Sequence, residues 1–292
     1  MIKASIKIAM TMGIAMVVIW WLNIPFLQSK TSDPFRIVVS HPILEDLTVA
    51  LLGPDAHVDT LIKRAQNPLT AKKTDDATQM IQKADMIITF GTIADGPYQH
   101  IAPASKDVVL INIADQMAAF DLPNQQPYIW MSIVDWAKVV YVVQQQFKQQ
   151  FPTKQSEINY RKDSYIKQLH VLQAYAKNQE SSSPYQKGVY ATNHDSLIPL
   201  ATSIKKSVLL LDQQATTDTV LKQMKDNRIK AVFPNAQLPT GPVNQWADAA
   251  LNHGHTVQVH PQVMTLTLDF PGTGRDTYIN MMRQTIQVLL NN

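Results

Sequence analysis

No cysteine occurs among the 292 residues of this chain. That absence excludes disulfides, thiolate metal sites and a cysteine nucleophile. It also excludes attachment of lipid to a leading cysteine, a common tether of exported bacterial proteins. A run of like charge is missing too. Lys and Arg total 26 against 23 Asp and Glu, a net charge of +3. The two signs are interspersed, so the basic footprint of a nucleic-acid binder is absent and the charges read as a mixed solvated surface. Three catalytic signatures are also lacking: a Gly-x-Ser-x-Gly elbow, a phosphate loop ending in Gly-Lys-Ser/Thr, and His-Glu-x-x-His. "GTGRD" (272–276) lacks the strand-to-helix setting of a phosphate nest. His194 and Asp195 are adjacent in sequence, which seldom points two side chains at one reacting atom. No enzyme constellation emerges.

What is present is 45% hydrophobic and 17% charged, ordinary globular composition with enough chain for two modest domains. Lys3 and Lys7 precede an uncharged run, "IAMTMGIAMVVIWWLNIPFL", Ile8 to Leu27. A helix of about 20 apolar residues spans a bilayer core. Trp20 and Trp21 suit the far interface, and the lysines the cytoplasmic side. No small-x-small cleavage pattern follows, so an uncleaved anchor is expected over a cleaved leader. The rest of the chain would then face outward from the cytoplasmic membrane.

Beyond the polar link "QSKTSDP", β and α signals alternate. "FRIVVS" (35–40), "HVDTLI" (57–62), "DMIITFG" (85–91) and "DVVLINI" (107–113) read as strands, the apolar ones as buried parallel strands. Helices are expected from Ile43 to Leu52, ending at Gly53, and from Thr74 to Ala84, entered through Thr74 and acids that suit its positive end. Two helices, Ile133 to Phe151 and Ser156 to Lys177, follow, separated by Pro152. In the second, Ile158, Tyr165, Ile166, Leu169, Leu172 and Tyr175 recur near helical period, which predicts a half-solvated spine. After the linker "NQESSSP" alternation resumes. "GVYATN", "SVLLLD", "IKAVFPN" and "HTVQVH" read as strands, with helices from near Ser196, Thr217 and Pro239 and a last one from about Asp276 to Leu290. The fold class is therefore α/β: two Rossmann-like βα lobes with parallel sheets joined by a long spine helix, plus an N-terminal transmembrane helix. The expected boundaries are 1–28 for the anchor, 35–152 for the first lobe, 153–179 for the spine and 185–292 for the second lobe. Sites in such lobes lie at the carboxyl ends of the strands, which would make a cleft between them. A stiff spine should limit the lobes to small adjustments.

Several blocks carry a family resemblance. "GPDAHVDTLI" followed by "NPLTAKKTDDATQMIQKADMIITFG", then "QQPYIWMS", "YATNHDSLIPLA", "IKAVFPNAQLP" and "GTGRDTYINMM" resemble, in this order, the solute-binding proteins of zinc and manganese ABC importers. The resemblance runs from about Phe35 to Asn292. It implies a two-lobed protein outside the cytoplasmic membrane, an importer permease as partner, zinc or manganese as cargo, and a monomer. It also implies four metal-holding side chains, two per lobe. The first His position falls on Leu69, with Asn67 at the preceding Asp; the second His position falls on Tyr128; the third falls on His194; the fourth, an Asp, falls on Leu266. Asn235 stands where the family commonly has Glu. One of four positions keeps a ligand, so His194 is the metal candidate and any zinc or manganese would be weakly held.

Two readings of the neighbouring polar residues stay open. His41, at the end of the first strand, Asp195 and Tyr128 could join His194 in a rearranged site, with Asn193 beside it and Asp269 swinging in. Alternatively His41 before Pro42 caps a turn, Asp195 caps the helix from Ser196, and Asp269 holds the loop before Pro271. His253, His255 and His260 fall outside the matching blocks and suit surface and strand-end roles. For function, the leading expectation is a membrane-anchored solute-binding protein with a degenerate site. The alternative is a scaffold or adhesin-like interaction protein that keeps the fold without cargo.

Overall fold

The computed structural model describes residues 34–116, 127–182, 189–211 and 215–291. The apolar run read as a membrane anchor lies outside them. Among the described residues no helix is long and apolar enough to cross a membrane.

The first half contains β1 (Arg36–Val39), α1 (Pro42–Leu52), β2 (His57–Thr60), α2 (Asp75–Gln82), β3 (Met86–Thr89), β4 (Val109–Asn112), the short α3 (Ile113–Gln116) and α4 (Ile133–Gln150). Its strands form one parallel sheet in the order β2-β1-β3-β4. Helix α5 (Gln155–Ser182) follows. The second half contains β5 (Val189–Thr192), α6 (Ile198–Ser203), β6 (Val208–Leu210), α7 (Thr217–Asp226), β7 (Ile229–Phe233), α8 (Gly241–Asn252), β8 (Gln258–Val259) and α9 (Tyr278–Asn291). Its sheet, β6-β5-β7-β8, is again parallel and repeats the first sheet's topology.

The apolar runs behave as strands buried on both faces must. Successive side chains of a strand point to opposite faces, and each face meets a different cluster. Ile37, Val39, Met86, Ile88, Tyr190, Ala231 and Phe233 enter one central core. Val38 and Ile87 turn instead to an outer cluster with Ile62 and Tyr98. Ala191 and Val232 turn to a second outer cluster with Val220 and Trp246. The central core thus draws on both sheets and on the long helix. Along α5, Ile158, Tyr165, Leu169, Leu172 and Ala176 are buried, a single stripe at helical spacing. That stripe packs against α1 and α4 of the first half and α9 of the second.

Local signals set the ends of the elements. Thr74 caps α2, its hydroxyl accepting from the Ala77 amide, with Asp75 and Asp76 in the first turn; Ser132 does the same for α4. The largest departure from the sequence reading is the last strand. "HTVQVH" yields only Gln258–Val259. His260 ends it, buried with its ring stacked on Phe233, centroids 4.6 Å apart.

Candidate functional site

In each half the first strand ends in a turn whose histidine caps the next helix. After β1 comes Ser40-His41, and His41 Nδ1 accepts from the Ile43 amide at 3.2 Å. After β5 comes Asn193-His194, and His194 Nδ1 accepts from the Ser196 amide at 3.1 Å. The two rings differ in what the other nitrogen does. His41 is fully buried, and its Nε2 donates to the Leu266 carbonyl at 2.8 Å. Burial pushes this imidazole down to about 3, against the opposing pull of that carbonyl. It is neutral, and both ring nitrogens are engaged. None of the hydrogen bonds described for His194 uses its Nε2. That ring meets Tyr128 edge to face, centroids 5.3 Å apart.

Asp195 does not cap its helix; His194 does. The Asp195 carboxylate lies instead 3.2 Å from His194 Nδ1. Burial lowers the His194 ring below the usual histidine range, and Asp195 pulls the other way. The Ser196 amide needs an acceptor at Nδ1, which puts the neutral ring's proton on Nε2. Tyr128 is buried, and burial first, then the Asp195 carboxylate, hold its phenol well above its ordinary value. It stays protonated.

Behind His194 lies a polar floor. Asn235 Nδ2 donates to Thr265 Oγ1 at 2.5 Å, Ser196 Oγ and Thr265 Oγ1 are 2.6 Å apart, and the Asn235 amide donates to Asn193 Oδ1 at 2.8 Å. The chain after β7 pairs with the segment around Val263 through Ala236 N to Val263 O and Val263 N to Pro234 O, at 2.8 and 2.9 Å. That pairing carries Leu266, fully buried, into the junction. Its amide donates to Gln237 Oε1 at 3.4 Å, and the Gln237 carbonyl accepts from Asn67 Nδ2 at 3.4 Å. Gln237 Nε2 is buried without a hydrogen-bond partner. Leu69 sits in a 3-10 turn, Pro68–Thr70, capped by Asn67. Its side chain is 42% exposed, which puts it at the rim.

Tyr128 and His194 are therefore in direct contact, Leu266 and Asn67 are linked through Gln237, and Leu69 stands two residues beyond. Asp269 is held in an ion pair with Arg275 at 2.7 Å, the loop-holding role. Among the described residues no three His, Asp or Glu side chains are grouped to hold a metal ion.

The family model described as "ZnuA: Zinc-uptake complex component A periplasmic" matches residues 37–292. The chain belongs to this family. The zinc-binding protein TroA of Treponema pallidum is 21% identical over 268 residues, 87% of each chain. The manganese-binding lipoprotein MntA of Bacillus subtilis is 21% identical over 277 residues, 89% of this chain and 90% of MntA. The solved structure of TroA superposes with a TM-score of 0.78 at 19% identity, covering 88% of this chain and 98% of that one. A cadmium-bound periplasmic metal-binding protein from Candidatus Liberibacter asiaticus gives 0.74 at 17% identity, covering 88% and 98%.

Within this family's fold, two residues at the junction went unread in the sequence. Gln237 sits inside the quoted block "IKAVFPNAQLP", but an amide two residues after Asn235 carries no motif. Arg64, just before the loop that holds Leu69, pairs with Glu45 at 3.2 Å and donates to the carbonyls of Asp269 and Asp276 at 3.2 and 2.7 Å. Only the long-range pairing of residues some two hundred positions apart reveals it.

Proposed function

We propose that this chain is an extracytoplasmic solute-binding protein of the ABC-importer class whose inherited metal site no longer holds zinc or manganese with four side chains. Its N-terminal apolar segment would tether it at the outer face of the cytoplasmic membrane, its partner would be an importer permease, and it carries out no catalysis. One observation carries the reading. Of the positions Leu69, Tyr128, His194 and Leu266, only His194 offers a metal-binding nitrogen, and its Nδ1 already accepts from the Ser196 amide. Zinc takes about four N, O or S ligands, and manganese favours oxygen donors. Two leucines supply none, and a phenol held protonated is a poor one. TroA and MntA are named for zinc and manganese, which supports metal as the ancestral cargo. The test is metal content of the purified chain after exposure to each ion, with calorimetry on metal-stripped protein. Substoichiometric metal and weak heat are expected. Tight one-to-one binding that vanishes in His194→Ala would sink the degenerate-site reading and restore the rearranged site with Asp195 or Asp269.

A second reading, an interaction protein that keeps the fold without cargo, is favoured by the direct hydrogen bonds between the two halves.

A further inference from the structure

We infer that a side pocket bounded by α4, α5 and α6 binds a small carboxylate with a compact apolar body, and that Lys205 holds its charge. The pocket is separate from the inherited metal positions: none of Leu69, Tyr128, His194 and Leu266 lines it.

Three helices meet there, the first turn of α4, the later part of α5 and the end of α6, and they enclose about 160 Å³. Ile133, Ala176 and Ile204 form its apolar floor. All three are buried members of the central core. Val134 stands at the edge, 49% exposed. Lys177 and Lys205 line the rim, and both are exposed. No Asp or Glu lines the pocket.

Size and lining select the ligand. A cavity of about 150 Å³ lined by Leu, Ile and Phe admits benzene, so the body is a single ring or a short branched chain. An apolar floor with a few polar groups to one side is the usual make-up of a small-molecule site. Ammonium groups at the mouth favour an anion over a cation, and a hydrogen bond between ionised groups is stronger than a neutral one. An inorganic anion would leave the floor bare, and a hydrocarbon would leave the lysines unused. A carboxylate on an apolar body uses both.

A second observation, in the backbone, singles out Lys205. Helix α6 closes in a Schellman motif: the Lys206 amide donates to Ala201 O at 2.8 Å, and the Lys205 amide to Thr202 O at 3.0 Å. Lys205 fills the left-handed place of that motif, φ 56°, where glycine is usual and a Cβ is costly. Glycine would serve the turn better. What the lysine adds is a cation at the mouth of the pocket, and strained backbone positions concentrate at functional sites. Arg228 holds the equivalent left-handed place after α7, φ 53°, but does not line the pocket. It is a built-in control.

The test uses the full chain in non-ionic detergent, with isoleucine methyls labelled for NMR and benzoate as the probe. The Ile133 and Ile204 methyls are expected to shift together and saturate, with a dissociation constant of about 1 mM or tighter. Benzylamine, the same ring with the opposite charge, and acetate, the same charge without the ring, should each bind at least about 10-fold more weakly. Lys205→Gly and Arg228→Gly both relieve a left-handed backbone, so neither should lower the urea midpoint. Only Lys205→Gly should weaken benzoate, by about 5- to 10-fold. Val134→Trp, which fills the pocket from its exposed edge, should abolish the shifts with both lysines in place. Three results would each overturn the site: no saturable shift at Ile133 and Ile204 up to about 10 mM benzoate, ten times the expected constant; benzylamine binding as tightly as benzoate; or equal benzoate affinity in Lys205→Gly and Arg228→Gly.

Discussion

His41 and His194 stand at equivalent places in the two sheets, each two residues beyond the first strand and each capping the following helix through Nδ1. Their other nitrogens have parted ways. His41 spends Nε2 on the Leu266 carbonyl of the opposite half; His194 turns its Nε2 side to the edge-to-face contact with Tyr128. One histidine is bonded into the junction, and the other has the only metal-capable nitrogen among Leu69, Tyr128, His194 and Leu266.

The His41 arrangement predicts a pH signature. In the unfolded chain this ring takes a proton near 6.5; in the folded chain, near 3. Between those values the unfolded state binds more protons, so this contribution to stability falls as pH falls, by about 1.4 kcal/mol per pH unit. Asp46 and Asp95 work in the opposite sense. Burial raises each to about 6, so the folded state binds the extra proton and stability from them rises as pH falls from about 6 toward 3.8. The total is thus partly cancelled, and a difference is the cleaner measurement. His41→Asn keeps a side-chain acceptor for the Ile43 amide without a ring to protonate. From pH 6.5 to 5 the native chain should lose about 2 kcal/mol relative to this variant. Urea unfolding at several pH values checks it; a gap that does not change with pH would place the proton elsewhere.

Arg64 should matter to stability more than its half-exposed position suggests. Arg64→Ala removes two hydrogen bonds to carbonyls of the opposite half and the pair with Glu45. Hydrogen bonds to charged groups contribute about 1.5–3 kcal/mol, and solvent screening reduces the ion-pair share. A loss of about 1–3 kcal/mol is expected in a denaturant melt. A loss within error of zero would make Arg64 a solvated surface side chain.

The fold was legible because parallel strands buried on both faces write themselves as short apolar runs. "FRIVVS", "DMIITFG" and "IKAVFPN" contain β1, β3 and β7. "HTVQVH" was not, because only two of its residues pair, and the chain beyond Pro261 pairs with the segment after β7 instead. The candidate positions came from the order of the motif blocks, which carries no information on the bonds around them. That His194 rather than Asp195 would cap the short turn depends on which side chain reaches the Ser196 amide. The pairing of Thr265–Asp269 with Trp130, His41 and Arg64 was invisible for a deeper reason. Its acceptors are backbone carbonyls, which every sequence possesses.

The turn that carries Leu69 rests on one glycine. Gly96 has φ 54°, and a Cβ there would lie 2.0 Å from the Pro68 carbonyl oxygen. Gly96→Ala is therefore both conformationally strained and sterically blocked by backbone. A destabilisation of about 2 kcal/mol or more is expected, together with displacement of the Pro68–Thr70 turn. Amide exchange over residues 62–73 should rise in the variant. Unchanged exchange and an unchanged melt would mean that the two turns part without cost.

The strongest test of the four positions is to rebuild the site. Leu69→His, Tyr128→His and Leu266→Asp together would offer three imidazoles and a carboxylate, a plausible zinc set. The empty variant should be less stable, because Leu266 is fully buried and an unpaired polar group in its place costs about 1–3 kcal/mol or more. Zinc at His194 Nε2 requires the ring proton to sit on Nδ1. That nitrogen would give up the Ser196 amide, but Asp195 Oδ1 already lies 3.2 Å away to accept the proton's bond. A carboxylate behind a metal-bound histidine strengthens such a site. Zinc should therefore raise the variant's stability, by about 2.7 kcal/mol once free metal reaches a hundred times the dissociation constant. Adding Asp195→Asn to the triple variant should weaken zinc by about 10- to 100-fold. Thermal melts across a zinc titration, run beside the native chain, read all of this. A zinc-dependent rise confined to the variant, smaller with Asp195→Asn, supports convergence of Leu69, Tyr128, His194 and Leu266. No rise in the variant means that these side chains do not meet at one point, and the site assignment fails while the fold stands.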